Sequence, residues 1–215
     1  MLVMIFSLLV STCQLDLIGI MSAMDVELEF IGGDMIIEGV DTLGASVFKR
    51  GKIGQVPCVT VHGGVGKVGA AHAAQILIME YEVDAVIFTG VAGGIDPDLG
   101  IGDIVISQDV VHHDFGQILP DQFVPFDTVG YGADTMLIRL ARQASENVVL
   151  GTIPEAIRGE EAIPRVTLGR VATGDQFISS ETKRLWIEKI FRADCVEMEG
   201  AAVAQICTLY EVPFV

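Results

Sequence analysis

From residue 17 onward, short apolar runs alternate with stretches of helical periodicity. Strands that are apolar throughout must be buried on both faces, which confines such a chain to a mainly parallel central sheet flanked by helices. The segments 17–21, 56–62, 84–89, 103–111, 167–173 and 193–198 read as strands, and 212–215 begins one more. Segments 25–37, 66–81, 133–146, 181–191 and 201–207 read as helices. In 66–81 the positions Val68, Ala71, Ala74 and Ile78 share helical spacing and predict the packed face. Residues 16–215 are enough for one α/β domain with a full core. In sheets of this kind ligands collect beyond the carboxyl ends of the strands, so the loops there are the candidates for chemistry.

Charge and composition narrow the function. A net charge of -16 leaves little to neutralise phosphates and argues against a nucleic-acid partner. An anionic substrate would need a local site against that field. Cys58, Cys195 and Cys207 sit in apolar runs and read as reduced core residues, and neither they nor Cys13 show CxxC spacing. The four histidines form no zinc pattern, so no metal and no cofactor are expected. Residues 1–10 are strongly apolar but too short to span a bilayer, which takes about 20 residues. Without a preceding Lys or Arg, residues 1–15 read as an odd leader or a mis-assigned start, on a cytoplasmic protein or, alternatively, an exported one.

Five stretches carry the chemical interest. Val196-Glu197-Met198-Glu199-Gly200-Ala201-Ala202 sets two carboxylates at a strand-to-helix junction, where burial is costly unless something pairs with them. Ligand hydroxyls, as on a sugar, are one such partner; a helix-start acid held by the dipole is the plainer reading. Ser22-Ala23-Met24-Asp25-Val26-Glu27 turns closely from strand to helix and puts Glu27 in the first helical turn, with the same two readings. Thr89-Gly90-Val91-Ala92-Gly93-Gly94 brings backbone N–H groups close to a ligand. His62-Gly63-Gly64-Val65-Gly66-Lys67 resembles a phosphate loop only superficially: the spacing is wrong and Val68 offers no hydroxyl for Mg²⁺. Gly174-Asp175-Gln176-Phe177-Ile178 places a ring where it can stack on a heterocycle, or else pack in the core.

Taken in order, these stretches, with Ile18-Gly19-Ile20-Met21 before the first loop and Gly102-Asp103-Ile104-Val105 after the third, resemble the 5'-methylthioadenosine/S-adenosylhomocysteine nucleosidases of the purine nucleoside phosphorylase superfamily. The resemblance implies a nucleoside phosphorylase-like fold, hydrolysis of the N-glycosidic bond with release of adenine, a nucleoside and water as partners, no metal, and a homodimer. It implies Glu27 as general base on the attacking water, and Met198 and Glu199 on the ribose. It further implies Phe177 stacked on adenine, Ile178 at the purine edge through its backbone, and Gly93 lining the ribose and water site. The chemistry agrees: bond cleavage builds positive charge on the ribose that carboxylates stabilise, a base deprotonates water, and an acid protonates the leaving purine.

The sequence departs from the family in three places. The family's purine-protonating Asp and closing helix follow the Val212-Pro213-Phe214-Val215 strand, where this sequence stops, so either the sequence is a fragment or the polypeptide lacks the family mechanism; Asp175 reads as shaping its loop rather than replacing that acid. Val91 stands where many members carry a hydroxyl. After His112-His113-Asp114, the segment 116–130 replaces the one that usually shapes the 5'-substituent pocket. Two alternatives to hydrolysis are a phosphorylase, for which Lys49 and Arg50 are the nearest cations, and a non-catalytic nucleoside-binding homologue.

Overall fold

The computed structural model describes residues 15–215, and the leader reading of 1–15 lies, but for Leu15, outside them. The chain opens on β1 (Ile18–Ser22) and α1 (Asp25–Gly33). An antiparallel meander follows, β2 (Met35–Leu43), β3 (Ser46–Ile53) and β4 (Val56–His62). Next come α2 (Lys67–Met79), β5 (Ala85–Phe88), the two-residue β6 (Gly93–Gly94), β7 (Ile104–His112), the small ribbon β8 (Gly116–Ile118) and β9 (Phe123–Pro125), and β10 (Tyr131–Gly132). The last third holds α3 (Thr135–Glu146), the short α4 (Glu155–Arg158), β11 (Val166–Thr173), α5 (Glu181–Phe191), β12 (Cys195–Glu197) and α6 (Gly200–Leu209).

Two mixed five-stranded sheets, ordered β2-β3-β4-β1-β5 and β10-β7-β11-β12-β6, form the centre. Within them β4, β1 and β5 run parallel, as do β7, β11 and β12. The segment 213–215 joins the halves. Phe214 bridges Val86 in parallel, Phe88 N–H donates to the Val215 carbonyl at 2.9 Å, and Asp134 N–H donates to the Phe214 carbonyl at 2.8 Å.

Every residue of β1 is buried, as an apolar run with helices on both faces requires. α2 and α6 pack against each other in one buried cluster with Met21 of β1, bringing together the small side chains Ala70, Ala73 and Ala74 of one and Ala201, Ala202 and Ala204 of the other, with Leu77 and Val203 in the same cluster. Cys58, Cys195 and Cys207 are buried and free, and burial pushes the last two thiols up to about 12.

Three expectations need correction. The helix read over 25–37 ends at Gly33, and Met35 already starts β2; the Ile36-Ile37 pair satisfies either period, and pairing with β3 decides it. The packed face of α2 is Ala70, Ala73, Ala74, Leu77 and Ile78, whereas Val68 is 83% exposed. The last inner strand is only Cys195–Glu197, because the chain already turns into α6 at residue 199.

Candidate active site

Six loops leave carboxyl ends of β1, β4, β5, β7, β11 and β12, and their side chains interlock. Glu27 lies in the first turn of α1. One of its carboxylate oxygens, Oε2, accepts the N–H groups of Ala23 at 3.0 Å and Met24 at 2.9 Å, the reach-back of a capping box. The other, Oε1, crosses to the β5 loop and accepts Val91 N–H at 3.0 Å. Gly90 permits that approach: a Cβ there would stand 3.1 Å from Oε1. So the helix-start reading of Glu27 is correct as geometry, yet half of the carboxylate serves another loop. Three donors leave about one of its four lone-pair directions for a water.

Glu199, at the start of α6, is 6% exposed and reaches the β4 loop, where its Oε1 accepts Gly66 N–H at 2.6 Å. Gly66 has φ 98°, a conformation that favours glycine, so the N–H is presented only because no side chain stands there. Burial raises the Glu199 carboxyl above its ordinary value, and the charges of Glu27 and Asp175 push the same way, against the Gly66 and Met198 N–H groups. Asp175 comes to the same glycine, its Oδ1 standing 3.1 Å from where a Cβ of Gly66 would be, and Glu27 lies at the end of β1, between β4 and β5.

Glu197 takes the plainer role. Its Oε2 accepts Glu199 N–H and Gly200 N–H, both at 2.7 Å, and its Oε1 accepts the Thr173 hydroxyl. Its packed surroundings push this carboxyl up to about 7 despite those donors.

The loops after β4, β7 and β11 are clamped together. Asp114 Oδ1 pairs with Lys67 Nζ at 2.6 Å and its Oδ2 accepts Asp175 N–H at 2.8 Å, while Asp175 Oδ1 accepts Lys67 N–H at 2.8 Å. Asp175 therefore does shape its loop. Beside it His113 is fully buried with no hydrogen-bond partner on either ring nitrogen among the described residues, and burial lowers it to about 4.

Phe177 is 87% exposed, which rules out core packing and leaves its ring free at the tip of the β11 loop. Ile178 is partly buried against the cluster around Ile95, Val111 and Ile187. Gly93 is exposed where β6 pairs with Val196, and Met198 is half-buried between the two glutamates. Sequence reasoning missed the donors, namely the N–H groups of Ala23, Met24, Gly66 and Val91, and the clamp of Lys67 and Asp114. Only the glycine-rich spacing of the loops hinted at the former. Among the described residues no group of three His, Cys, Asp or Glu is placed to hold a metal ion.

Parallel strands with acids gathered beyond their ends define an α/β class that grips its ligand with loops, and a family model described as the phosphorylase superfamily matches residues 17–215. The chain is 31% identical over 208 residues to the 5'-methylthioadenosine/S-adenosylhomocysteine nucleosidase of Mycobacterium bovis, covering 92% of this chain and 82% of that protein. It is 35% identical over 211 residues to the enzyme of the same name from Bacillus thuringiensis subsp. konkukian, with the same coverage. Among solved structures, the nucleosidase from Neisseria meningitidis in complex with methylthio-immucillin-A superposes with TM-score 0.79 at 32% identity, over 93% of this chain and 83% of that one. Futalosine hydrolase of Helicobacter pylori superposes with TM-score 0.78 at 28% identity, over 93% and 82%. The chain belongs to the 5'-methylthioadenosine/S-adenosylhomocysteine nucleosidase family of the phosphorylase superfamily.

Proposed function

We propose that this protein hydrolyses the N-glycosidic bond of 5'-methylthioadenosine- and S-adenosylhomocysteine-type nucleosides and releases adenine. The observation that supports the reading is that Glu27 and Glu199, far apart in the chain, each hold a backbone N–H of a loop that leaves a strand flanking β1, Val91 after β5 and Gly66 after β4. In this reading Glu27 directs a water through its remaining lone pair and takes its proton as the oxygen attacks the anomeric carbon. Glu199 holds the ribose hydroxyls and opposes the positive charge that grows on the sugar. Phe177 lies over the adenine, with Ile178 at its edge, Met198 against the ribose, and Gly93 leaving room beside it. An acid must still reach the departing purine. Asp175 is poorly suited, since it is engaged with Lys67 and Asp114.

Phosphorolysis, the competing reaction, needs a free cation near the sugar. Of the two candidate cations, Arg50 is paired with Asp41 at 2.7 Å and Lys49 is exposed on β3, while Lys67, at the start of α2, is paired with Asp114. Both pairings support water as the nucleophile. The deciding assay is adenine release from methylthioadenosine with and without inorganic phosphate. Release in its absence is expected, and strict phosphate dependence refutes hydrolysis. We also read the active unit as a homodimer, on the family resemblance; sedimentation at the monomer mass refutes it.

A further inference from the structure

Glu197 and Thr173 have no part in the chemistry just described, yet they bond to each other and to the first turn of α6. The N–H groups of 199, 200 and 201 open α6 and have no partner within the helix. Glu197 Oε2 takes the first two at 2.7 Å each, and Thr173 Oγ1 takes the third at 2.8 Å. The Thr173 hydroxyl then donates to Glu197 Oε1, so the two side chains, from neighbouring strands β11 and β12, form one cap. Glu199 is thus held twice: its backbone by Glu197, its carboxylate by Gly66 N–H at 2.6 Å.

We propose that Glu197, braced by Thr173, is a positioning residue for Glu199: it grips the Glu199 backbone and so aims that carboxylate across to the Gly66 loop. The functional half of this inference rests on the ribose role of Glu199 given above; the geometric half does not. A carboxylate at 197 can seat two N–H groups on one oxygen and a hydroxyl on the other. A glutamine there keeps an oxygen for the N–H pair and offers its amide hydrogen to Thr173, whose oxygen has a second lone pair. An alanine leaves three donors without partners.

The test compares the full chain with Glu197→Gln, Glu197→Ala, Thr173→Val and Glu199→Gln. The first readout is hydrogen exchange at the Gly66 amide, whose partner is the Glu199 carboxylate. Exchange there is expected to rise about tenfold or more in Glu197→Ala and to stay near the wild-type rate in Glu197→Gln. A cap of purely structural importance loosens amides 199–201 and leaves Gly66 unchanged, and that result overturns the proposal. The second readout is steady-state adenine release from methylthioadenosine well below each variant's melting temperature. There kcat falls about a hundredfold in Glu197→Ala, as for a misplaced catalytic group, with a smaller change in KM and most of the loss recovered in Glu197→Gln. A Glu197→Gln variant as impaired as Glu199→Gln overturns positioning in favour of a direct charge effect. Should Glu197→Ala fail to fold, Thr173→Val, which removes the brace and the partner of Ala201 N–H but leaves Glu197 Oε2 on amides 199 and 200, is expected to show the same pattern more weakly at Gly66, and an unchanged Gly66 there refutes the brace. Wild-type protein that releases no adenine sinks the nucleosidase reading and leaves the exchange result to decide this one.

Discussion

Glu199→Gln separates charge from shape at the centre of the site. The amide keeps the length of the side chain and an oxygen for the Gly66 N–H, which the carboxylate now accepts at 2.6 Å. What disappears is one negative charge in a place that is 6% exposed. As the glycosidic bond breaks, positive charge develops on the sugar. A carboxylate about 4 Å away stabilises a full charge by about 4 kcal/mol at an effective dielectric constant of about 20, and a half-developed one by about 2 kcal/mol. Since about 1.4 kcal/mol is a factor of ten, turnover should fall between about 30-fold and 1,000-fold. Folding should not suffer, because burial and the charges of Glu27 and Asp175 already disfavour the ionised form of Glu199. Adenine release from methylthioadenosine, followed beside a thermal melt, gives both numbers. A variant with full turnover, or one whose loss tracks a lowered melting temperature, refutes a charged role for Glu199.

Phe177→Ala should weaken nucleoside binding by about 1–3 kcal/mol if base stacking is its task, with the melting temperature unchanged because the ring is 87% exposed; calorimetric titration with a nucleoside analogue checks it. Leu77→Ala empties a fully buried position on α2, over Gly19 of β1, and urea unfolding should show a loss of about 2–5 kcal/mol. Two buried groups give stability opposite slopes with pH. Burial raises Glu197 from 4.5 to about 7, so between those values the folded state holds a proton the unfolded chain has released, and stability falls as pH rises through that window. Burial lowers His113 from 6.5 to about 4, so the unfolded chain binds that proton first, and stability falls as pH drops through that window. Melting curves from pH 4 to 8 should lose the first slope in Glu197→Gln and the second in His113→Leu; identical curves in all three proteins refute both assignments.

The alternation of apolar runs determined much by itself. It marked the parallel strands from β1 to β12 and the loops at their ends, because burial on both faces is written into four to eight consecutive residues. It also marked Glu27, Phe177 and Glu199 as loop or junction residues. The meander of β2 and β3 was not legible in this way. Its strands are exposed along one face, and Ile36 and Ile37 suit helix and strand alike. Its punctuation was nevertheless present in Gly44 and Gly54, both at φ 62°. What only the tertiary structure decided is which of two glutamates, two residues apart, caps its own helix and which crosses to another loop. Glu197 bonds to residues beside it in the chain or on the adjacent strand, whereas Glu199 finds Gly66, 133 residues away. Local periodicity encodes where a side chain starts, but the partner it meets is set by how distant strands align.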